Sequence, residues 1–199
     1  STSGRAIFDG PGNGNTTVTL ESAAVISGSI VLGDGSDSLF INGADLSQVS
    51  SIDGGDDAST ADGYVDRLTL AAMNGPQAAN KFLNWERITL TGNSDLTWTG
   101  NTLSTGSGSL ASEAMGLVVN GGSTSRIAST TFSIAGDLTN DGLVALTNAQ
   151  TGNTLTVTGN YGGGGTLALD VALGDSSSPA DRMIVEGNTS AGPTILSIS

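Results

Sequence analysis

The chain is a succession of short segments in which apolar residues alternate with Ser, Thr or other small polar residues. Clear examples are TTVTL (16–20), TLTVT (154–158) and TLALD (166–170), and similar segments recur from end to end. Each segment predicts a strand with one buried face, and Gly, Asp or Asn residues close most of them. Strands this short, spaced by about 8–12 residues, predict an all-β sandwich, barrel or solenoid.

Internal repetition favours the solenoid. The tetrapeptide RLTL (67–70) recurs almost unchanged as RITL (87–90). A repeat period of about 20 residues is typical of stacked coils, in which each coil buries its inner face on the next one. Because this is a single clear pair of repeats, it favours a β-solenoid without excluding the other two architectures.

Helix signals are concentrated in NGPQAANKFLNW (74–85). Pro76 could occupy a first helical turn there, and Ala78, Ala79 and Phe82 would share one face. A solenoid tolerates insertions between its strands. We therefore interpret the segment as a loop with one short turn.

Composition agrees with thin strands and many turns. The 199 residues include 30 Gly, and aromatic residues make up only 4% of the chain, whereas a compact globule of this size would normally fill its centre with more aromatic side chains. Cys and His are both absent. Their absence excludes disulfides, thiol nucleophiles, a Ser-His-Asp relay and imidazole-bound zinc.

Charge excludes two classes of partner. The formal net charge is −13, and the six basic residues are scattered along the chain. Such a chain has no basic stripe that could bind the phosphates of nucleic acid, and an anionic membrane surface would repel the chain. The chain also lacks a run of roughly 18 apolar residues, so we expect no insertion into a membrane by this chain.

Two segments resemble single copies of the calcium-binding β-roll repeat G-x-G-x-D-x-U. They are GDGSDSLFI (33–41) and DGYVDRLTL (62–70), and they do not follow one another in tandem. We therefore favour Gly-Asp turns that lead into strands, and we expect no cofactor. The candidate ligands for a calcium ion, which keep a calcium-dependent β-roll open as an alternative, are Asp53, Asp56, Asp57 and Asp62.

Paired carboxylates could also serve a glycosidase or a polysaccharide lyase. Such sites need clustered acids and aromatic sugar platforms, but the chain has only two Trp residues, Trp85 and Trp98, and two Tyr residues, Tyr64 and Tyr161. We therefore predict that the chain is not an enzyme. A β-helical polysaccharide-acting enzyme or a carbohydrate-binding module remains the alternative.

Four consecutive glycines, residues 162–165, could suggest a phosphate-binding loop. Such a loop requires a following helix with Lys and Ser or Thr, whereas the residues that follow here predict a strand. We interpret the four glycines as a hairpin turn.

The segment LTVTGNYGGGGTLALDVALGDSSSPADRMIVEG (155–187) resembles the C-terminal passenger region of bacterial type V autotransporters. This region is the pertactin-like or autochaperone segment, and the closest group is that of AIDA-like adhesins. The resemblance implies a right-handed parallel β-helix that ends in a β-hairpin cap. Residues 1–150 would be stalk coils of the passenger, and residues 151–199 would be the cap.

The function implied by the resemblance is structural. The chain would be a surface-exposed stalk whose cap templates the folding of the preceding coils during export through the periplasm and the outer membrane. The partner would be the protein's own outer-membrane β-barrel translocator. The usual roles of autotransporter passengers further favour an adhesin or self-association protein with a role in virulence. Such a protein would contact a host surface or a neighbouring passenger.

The resemblance also implies which residues build the cap. Asp181 and Arg182 would begin a strand, and Asp175 would hold the arginine. Gly159, Gly174 and Gly187 would form the turns. The packing side chains would be Tyr161, Leu167, Leu169, Leu173, Met183, Val185, Ile195 and Ile198.

Overall fold

The alternating segments form strands throughout the chain in a computed structural model, which describes residues 4–190 and 192–199. Ser1, Thr2 and Ser3 of the predicted stalk, and Ala191 of the predicted cap, lie outside the described residues. Two short 3-10 helices, Thr60–Asp62 and Ala79–Lys81, are the helical elements of the described part. The strands, in chain order, are β1 Arg5–Phe8, β2 Thr17–Leu20, β3 Gly28–Val31, β4 Ser38–Asn42, β5 Val49–Asp53, β6 Arg67–Ala71, β7 Asn74–Ala78, β8 Phe82–Leu83, β9 Arg87–Thr91, β10 Asp95–Thr99, β11 Thr102–Ser104, β12 Ser109–Leu110, β13 Glu113–Ala114, β14 Gly116–Val119, β15 Thr124–Ile127, β16 Thr131–Ala135, β17 Leu138–Asn140, β18 Leu143–Ala145, β19 Thr154–Val157, β20 Tyr161–Gly162, β21 Thr166–Leu169, β22 Arg182–Val185 and β23 Ile195–Ile198.

The strands build a parallel β-helix, which confirms the predicted solenoid. The β-helix has three sides. The first side is one sheet in the order β2-β4-β6-β9-β14-β17-β20, which we call the first sheet, and the third side is one sheet in the order β7-β10-β15-β18-β21-β23, which we call the third sheet. The second side consists of two four-stranded sheets, β1-β3-β5-β8 and β11-β16-β19-β22. A complete coil contributes one strand to each side in turn, as β9, β10 and β11 do. Every pair within these sheets is parallel, because the chain returns to a sheet only after going around the coil.

The repeated tetrapeptide lies in register in neighbouring coils. Arg67 is the partner of Arg87 and Leu70 is the partner of Leu90 in the pairing of β6 with β9. The repeat period is not constant, however, because longer coils carry loops at their corners. A hairpin formed by β12 and β13 is one such loop, and residues 170–181 form another.

The core consists of apolar ladders that run along the inside of the coils. In the first sheet, one ladder passes through strands β2, β4, β6, β9, β14, β17 and β20 as Val18, Leu39, Leu68, Ile88, Leu117, Leu138 and Tyr161. One continuous cluster of buried side chains extends from Leu20 to Leu167. Because the core passes residue 150 without interruption, the division of the chain there into stalk and cap stays a prediction.

The segment from Asn74 to Trp85 differs from its interpretation as a loop. It contains two strands, β7 and β8, on either side of the 3-10 helix Ala79–Lys81. Strand β7 pairs with β10, and β8 pairs with β5. The expected short turn is therefore present. The rest of the segment forms strands because it pairs with neighbouring coils. Pro76 lies in β7, which is the edge strand of the third sheet, where a residue without an N–H group is tolerated.

The cap also differs in detail from a simple hairpin. Strands β19 to β23 all continue the parallel sheets. Antiparallel pairing in this region is confined, among the described residues, to the bridge between Val171 and Ala180 at the base of a narrow loop. The cap is therefore made of further coils, and the hairpin-like element is an arm that projects from one of them.

Candidate functional site

The C-terminal coils end the apolar ladders on all three sides. Four of the side chains predicted to pack the cap occupy inward positions directly beside a buried residue of the preceding coil. These pairs are Leu138 with Tyr161, Val144 with Leu167, Leu155 with Met183, and Val157 with Val185. Tyr161 and Leu167 are buried, and Met183 and Val185 are half-buried against the core.

Leu169 and Leu196 continue this pattern at the third sheet. Leu169 is half-buried and packs on the core, and it lies on the same face of β21 as Leu167. Leu196 is the register partner of Leu167 in β23, but it remains 61% exposed. A cavity of about 500 Å³ opens beside it, and its lining includes Tyr161, Met183 and Thr194. The hydroxyl groups of Tyr161 and Thr194 are 3.0 Å apart across this opening.

Three of the predicted packing residues do not pack. Leu173 is 92% exposed because it lies in the projecting arm, away from every ladder. Ile195 points outward from β23, beside the outward-facing Thr166. Ile198 has an inward register, but no further coil of the described chain covers it. Alternation identified candidate strand faces, but burial also required an inward position and a neighbouring coil that covers the side chain.

Asp181 is the main polar anchor of the cap. Its side chain is buried, and its two carboxylate oxygens accept hydrogen bonds from the backbone N–H groups of Asn153 (2.8 Å) and Asp170 (3.0 Å). The backbone N–H of Asp181 in turn donates to the carbonyl of Asp170. Asp181 therefore closes the base of the arm and joins it to the start of β19, which lies one coil earlier.

The expected contact between Asp175 and Arg182 is not formed. Asp175 accepts hydrogen bonds from the N–H and hydroxyl groups of Ser177, and this local turn lowers its pKa. Arg182 donates from Nε to the hydroxyl of Thr154, 3.0 Å away in the neighbouring strand. Register explains the difference, because Arg182 and Thr154 are direct partners whereas Asp175 lies in the arm.

Glycines form a column at the corner that leads into the first sheet. A Cβ atom on Gly136, Gly159 or Gly187 would lie 2.5–2.7 Å from the carbonyl oxygen of the glycine one coil earlier. Two of the predicted turn glycines, Gly159 and Gly187, are thus needed for close stacking of coils. Gly174 lies outside the column, and its nearest neighbour is the flexible side chain of Ser178.

Residues 162–165 form a corner of the coil and not the expected hairpin turn. They connect β20 in the first sheet with β21 in the third, so the strands on either side do not pair with each other. A Cβ atom on Gly163 or Gly165 would lie within 2.4 Å of a backbone carbonyl of the previous coil, at Asn140 or Gly142. The glycines therefore permit a tight corner next to the coil below.

A polar column beside the glycines was missed at the level of sequence. Asp137, Asn160 and Asn188 occupy the position just before the first sheet in three successive coils. The N–H of Asn160 donates to Asp137 Oδ1 (2.6 Å), and the N–H of Asn188 donates to Asn160 Oδ1 (2.9 Å). In the sequence, an Asp or Asn residue stands directly before each of these strand positions, and this pattern could have revealed the column.

The four candidate calcium ligands are not gathered around one point. Asp53 accepts hydrogen bonds from Asn84 Nδ2 and Gly55 N, and Asp62 accepts one from Tyr64 N. Within residues 4–190 and 192–199, no group of three or more Asp or Glu side chains could hold a metal ion. Asp56 and Asp62 interact with each other through their side chains, so two of the four candidates form a pair.

The two indole rings pack inside the β-helix. Trp85 and Trp98 are both fully buried, and their Nε1 groups donate to Ile52 O and Ser125 Oγ respectively. The ring of Trp98 makes an edge-on contact with Phe82, with centroids 5.5 Å apart. Neither indole is therefore available as a platform for a sugar.

None of the helices in the described ranges has the length and apolar character needed to cross a bilayer.

Comparison with known proteins assigns the C-terminal part of the chain. Residues 133–199 match the family model Autochaperone Domain Type 1. A segment of 64 residues is 45% identical to the Probable autotransporter YfaL of Escherichia coli K12, and one of 58 residues is 43% identical to the Uncharacterized protein YuaQ of the same organism. These segments are 32% and 29% of the chain, and they span only 5% and 4% of the two relatives. No solved structure gives a significant match.

Proposed function

Because the chain carries an autochaperone segment of a type V autotransporter passenger, we propose that its C-terminal coils template the folding of the coils that precede them. A single coil cannot bury its own inner face, so a β-solenoid grows by adding coils to one that is already folded. The coils built from residues 133–199 offer such a surface. Their inward residues Leu138, Leu155 and Leu167 continue ladders that begin in earlier coils.

The setting of this function is a passenger exported to the bacterial outer membrane or cell surface. The support is the autochaperone match together with the autotransporter named among the relatives. We propose further that the partner in export is the protein's own β-barrel translocator. We also propose that the passenger is adhesive or self-associating and contacts a host surface or a neighbouring passenger. The matched segments cover 5% and 4% of the two relatives, so the role of the whole passenger is a proposal.

A structural role is favoured over catalysis. Trp85 and Trp98 are buried in the core, and Asp66 and Glu86, whose pKa values are raised to about 8 and about 7, are buried at one corner of the coils. The apolar cavity at the C-terminal coil is lined by Leu, Met, Val, Tyr and small residues and contains no acidic or basic side chain. These features support a stalk and not a polysaccharide-binding cleft.

One observation carries the proposal. The C-terminal coils are regular, with a strand on each of the three sides, and polar and glycine columns hold them to each other at one corner. By contrast, the third sheet begins at β7, so the first coils of the described residues lack a regular strand on that side. A regular, internally bonded end is the physical requirement for a template.

The test compares two matched core truncations, Leu167→Ala in β21 and Leu20→Ala in β2. Both side chains are almost fully buried, at 4% and 6% exposure, so each truncation is expected to reduce the free energy of unfolding by about 2–5 kcal/mol. Refolding is followed by the fluorescence of Trp85 and Trp98. Both indoles precede the autochaperone segment and therefore report on the coils that would be templated.

If the C-terminal coils fold first, Leu167→Ala slows refolding, whereas Leu20→Ala mainly accelerates unfolding. Equal effects of both substitutions on the refolding rate would contradict the proposal. Faster unfolding with unchanged refolding in Leu167→Ala would contradict it as well.

A further inference from the structure

Three carboxylic acids are stacked in the N-terminal half of the β-helix. Asp37, Asp66 and Glu86 each precede a strand of the first sheet, namely β4, β6 and β9, in consecutive coils. Their residue exposures are 0%, 1% and 2%. We call these three residues the acid column. It occupies the same corner of the coil as Asp137, Asn160 and Asn188 in the C-terminal coils.

Backbone hydrogen bonds connect the members of the acid column. The N–H of Asp37 donates to Asp66 Oδ1, and the N–H of Asp66 donates to Glu86 Oε2, both at 2.6 Å. The N–H of Thr16 donates to Asp37 Oδ1 at the same distance. Each carboxyl group is therefore fixed next to the backbone of the preceding coil. The second carboxylate oxygen of Asp66, Oδ2, is buried without a hydrogen-bond partner.

Positive charge does not neutralise the acid column. Arg67 and Arg87 follow Asp66 and Glu86 in sequence, but their guanidinium groups form ion pairs with Glu113 on the outside. The other charged groups that act on the column are acidic. Asp9 and Asp34 face Asp37, Asp56 faces Asp66 and Glu86, and Asp57 faces Glu86. Arg67 is the basic group that interacts with this cluster of charge.

Burial in this environment disfavours the ionised carboxylates. Burial raises the pKa of Asp66 to about 8 and that of Glu86 to about 7, and hydrogen bonds from the backbone offset only part of the effect. The pKa of Asp37 is also raised, for the same principal reason. The folded coils therefore hold protons that the unfolded chain would release at neutral pH.

The corresponding positions in the C-terminal coils are built differently. Asn160 and Asn188 carry neutral amides, and Asp137 accepts hydrogen bonds from Gly108 N, Asn160 N and Asn160 Nδ2. The stacked acids therefore belong to the coils of β4, β6 and β9. Local stability in a solenoid depends mainly on neighbouring coils, so the two parts of the molecule can respond separately to pH.

We propose that the acid column is a proton-dependent device that tightens the coils of β4, β6 and β9 in mildly acidic surroundings and loosens them in alkaline ones. Loss of the protons places adjacent negative charges inside the corner, and the guanidinium group of Arg67, which interacts with them, is already paired with Glu113. The autochaperone coils, which lack the stacked acids, keep their stability over the same range. The device requires only the stacked carboxyl groups and is independent of the templating proposed above.

The test is hydrogen–deuterium exchange of the whole chain at about pH 5 and about pH 9, with correction for intrinsic exchange rates. We expect protection of the amides in β4, β6 and β9 to fall by at least about tenfold at the higher pH, because one unit of pKa shift corresponds to a tenfold change in equilibrium. Protection in β17 to β23 should remain the same. The double variant Asp66→Asn, Glu86→Gln should lose most of this pH dependence, because Asp37 is then the one acid of the column that can still ionise. The exposed Glu186→Gln should behave as the unaltered chain.

A second measurement does not depend on the variants. The carboxyl ¹³C resonances of the unaltered chain report directly whether Asp66 and Glu86 release their protons near neutral pH. Ordinary titration of both groups near pH 4 would overturn the proposal. Equal loss of protection along the whole chain, or a pH dependence of undiminished size in a folded double variant, would overturn it as well.

Discussion

Arg67 and Arg87 are direct partners in the parallel strands β6 and β9, and both guanidinium groups bind the carboxylate of Glu113. Arg67 donates from Nε (2.9 Å) and Nη2 (2.7 Å) to Oε2, and Arg87 donates from Nη1 to Oε1 (3.0 Å). Glu113 belongs to the hairpin of β12 and β13, which is inserted one coil later. The carboxylate of Glu113 thus offsets the repulsion between two arginines that the repeat places side by side.

We expect Glu113→Gln to lower the free energy of unfolding by about 1 kcal/mol. The three side chains are partly exposed, which limits the value of the ion pairs, but their loss leaves two arginines adjacent on one face. Urea unfolding followed by tryptophan fluorescence measures the change. Asp95→Asn, which removes a single and more exposed ion pair with Arg126, should cost about half as much or less. Equal losses would show that Glu113 has no special role.

Gly187→Ala should destabilise the C-terminal coils by about 1–3 kcal/mol. The new Cβ atom would lie 2.5 Å from the carbonyl oxygen of Gly159, and backbone cannot move aside cheaply. Gly164→Ala is the matched control, because no atom lies within 4 Å of its Cβ position. We expect the control to be neutral or to stabilise by up to about 1 kcal/mol, since alanine restricts the unfolded chain. Thermal melts of both variants check this, and a similar loss in each would be inconsistent with close stacking.

Asp181→Ala should cost about 2–4 kcal/mol, because it leaves the buried N–H groups of Asn153 and Asp170 without an acceptor. Asp175→Ala removes only an exposed local turn with Ser177, so we expect a much smaller loss of stability than for Asp181→Ala. Urea unfolding of the two variants gives both values. A larger loss for Asp175→Ala would mean that the arm, and not its base, holds the cap together.

The chain should be most stable at about pH 5, at the acidic end of the usual range. Asp66 and Glu86 have folded pKa values above their unfolded ones, so their contribution is complete below about pH 4 and is lost as the pH rises to about 7–8. Glu113 has its pKa lowered by the hydrogen bond from Arg67, so its contribution is present above the ordinary value of 4.5 and is lost as the pH falls. Urea midpoints measured across the pH range test this. A maximum near pH 8 would contradict it.

Much of the fold could be predicted from the local pattern. The alternating segments that contain Leu96, Ile134 and Leu155 are strands β10, β16 and β19, and the repeated tetrapeptides stack in register. The C-terminal resemblance identified a segment that the family model also matches. In the C-terminal coils, Tyr161, Leu167, Leu169, Met183 and Val185 pack on the core. These features depend on side-chain polarity and strand period, which are local properties.

Other features could not be found in this way, because they depend on which coil lies next to which. Residues 162–165 resemble a hairpin turn in sequence, but they are a corner because β20 and β21 find partners in different sheets. Leu173 has the polarity of a core residue but lies in an arm that no ladder reaches. The pairs Asp37 with Asp66 and Asp181 with Asn153 join residues that are 29 and 28 positions apart.

The sequence by itself determined the alternating strands, favoured a β-solenoid and identified the autotransporter-type C-terminal segment, since alternation, repetition and the resembled motif are local properties of the chain. The tertiary structure alone decided the register between coils of unequal length. That register stacks Asp37, Asp66 and Glu86 in one buried column and places Asp137, Asn160 and Asn188 at the same corner. The physical reason is that burial and hydrogen bonding at a corner depend on the neighbouring coil, whose distance along the chain varies with each inserted loop.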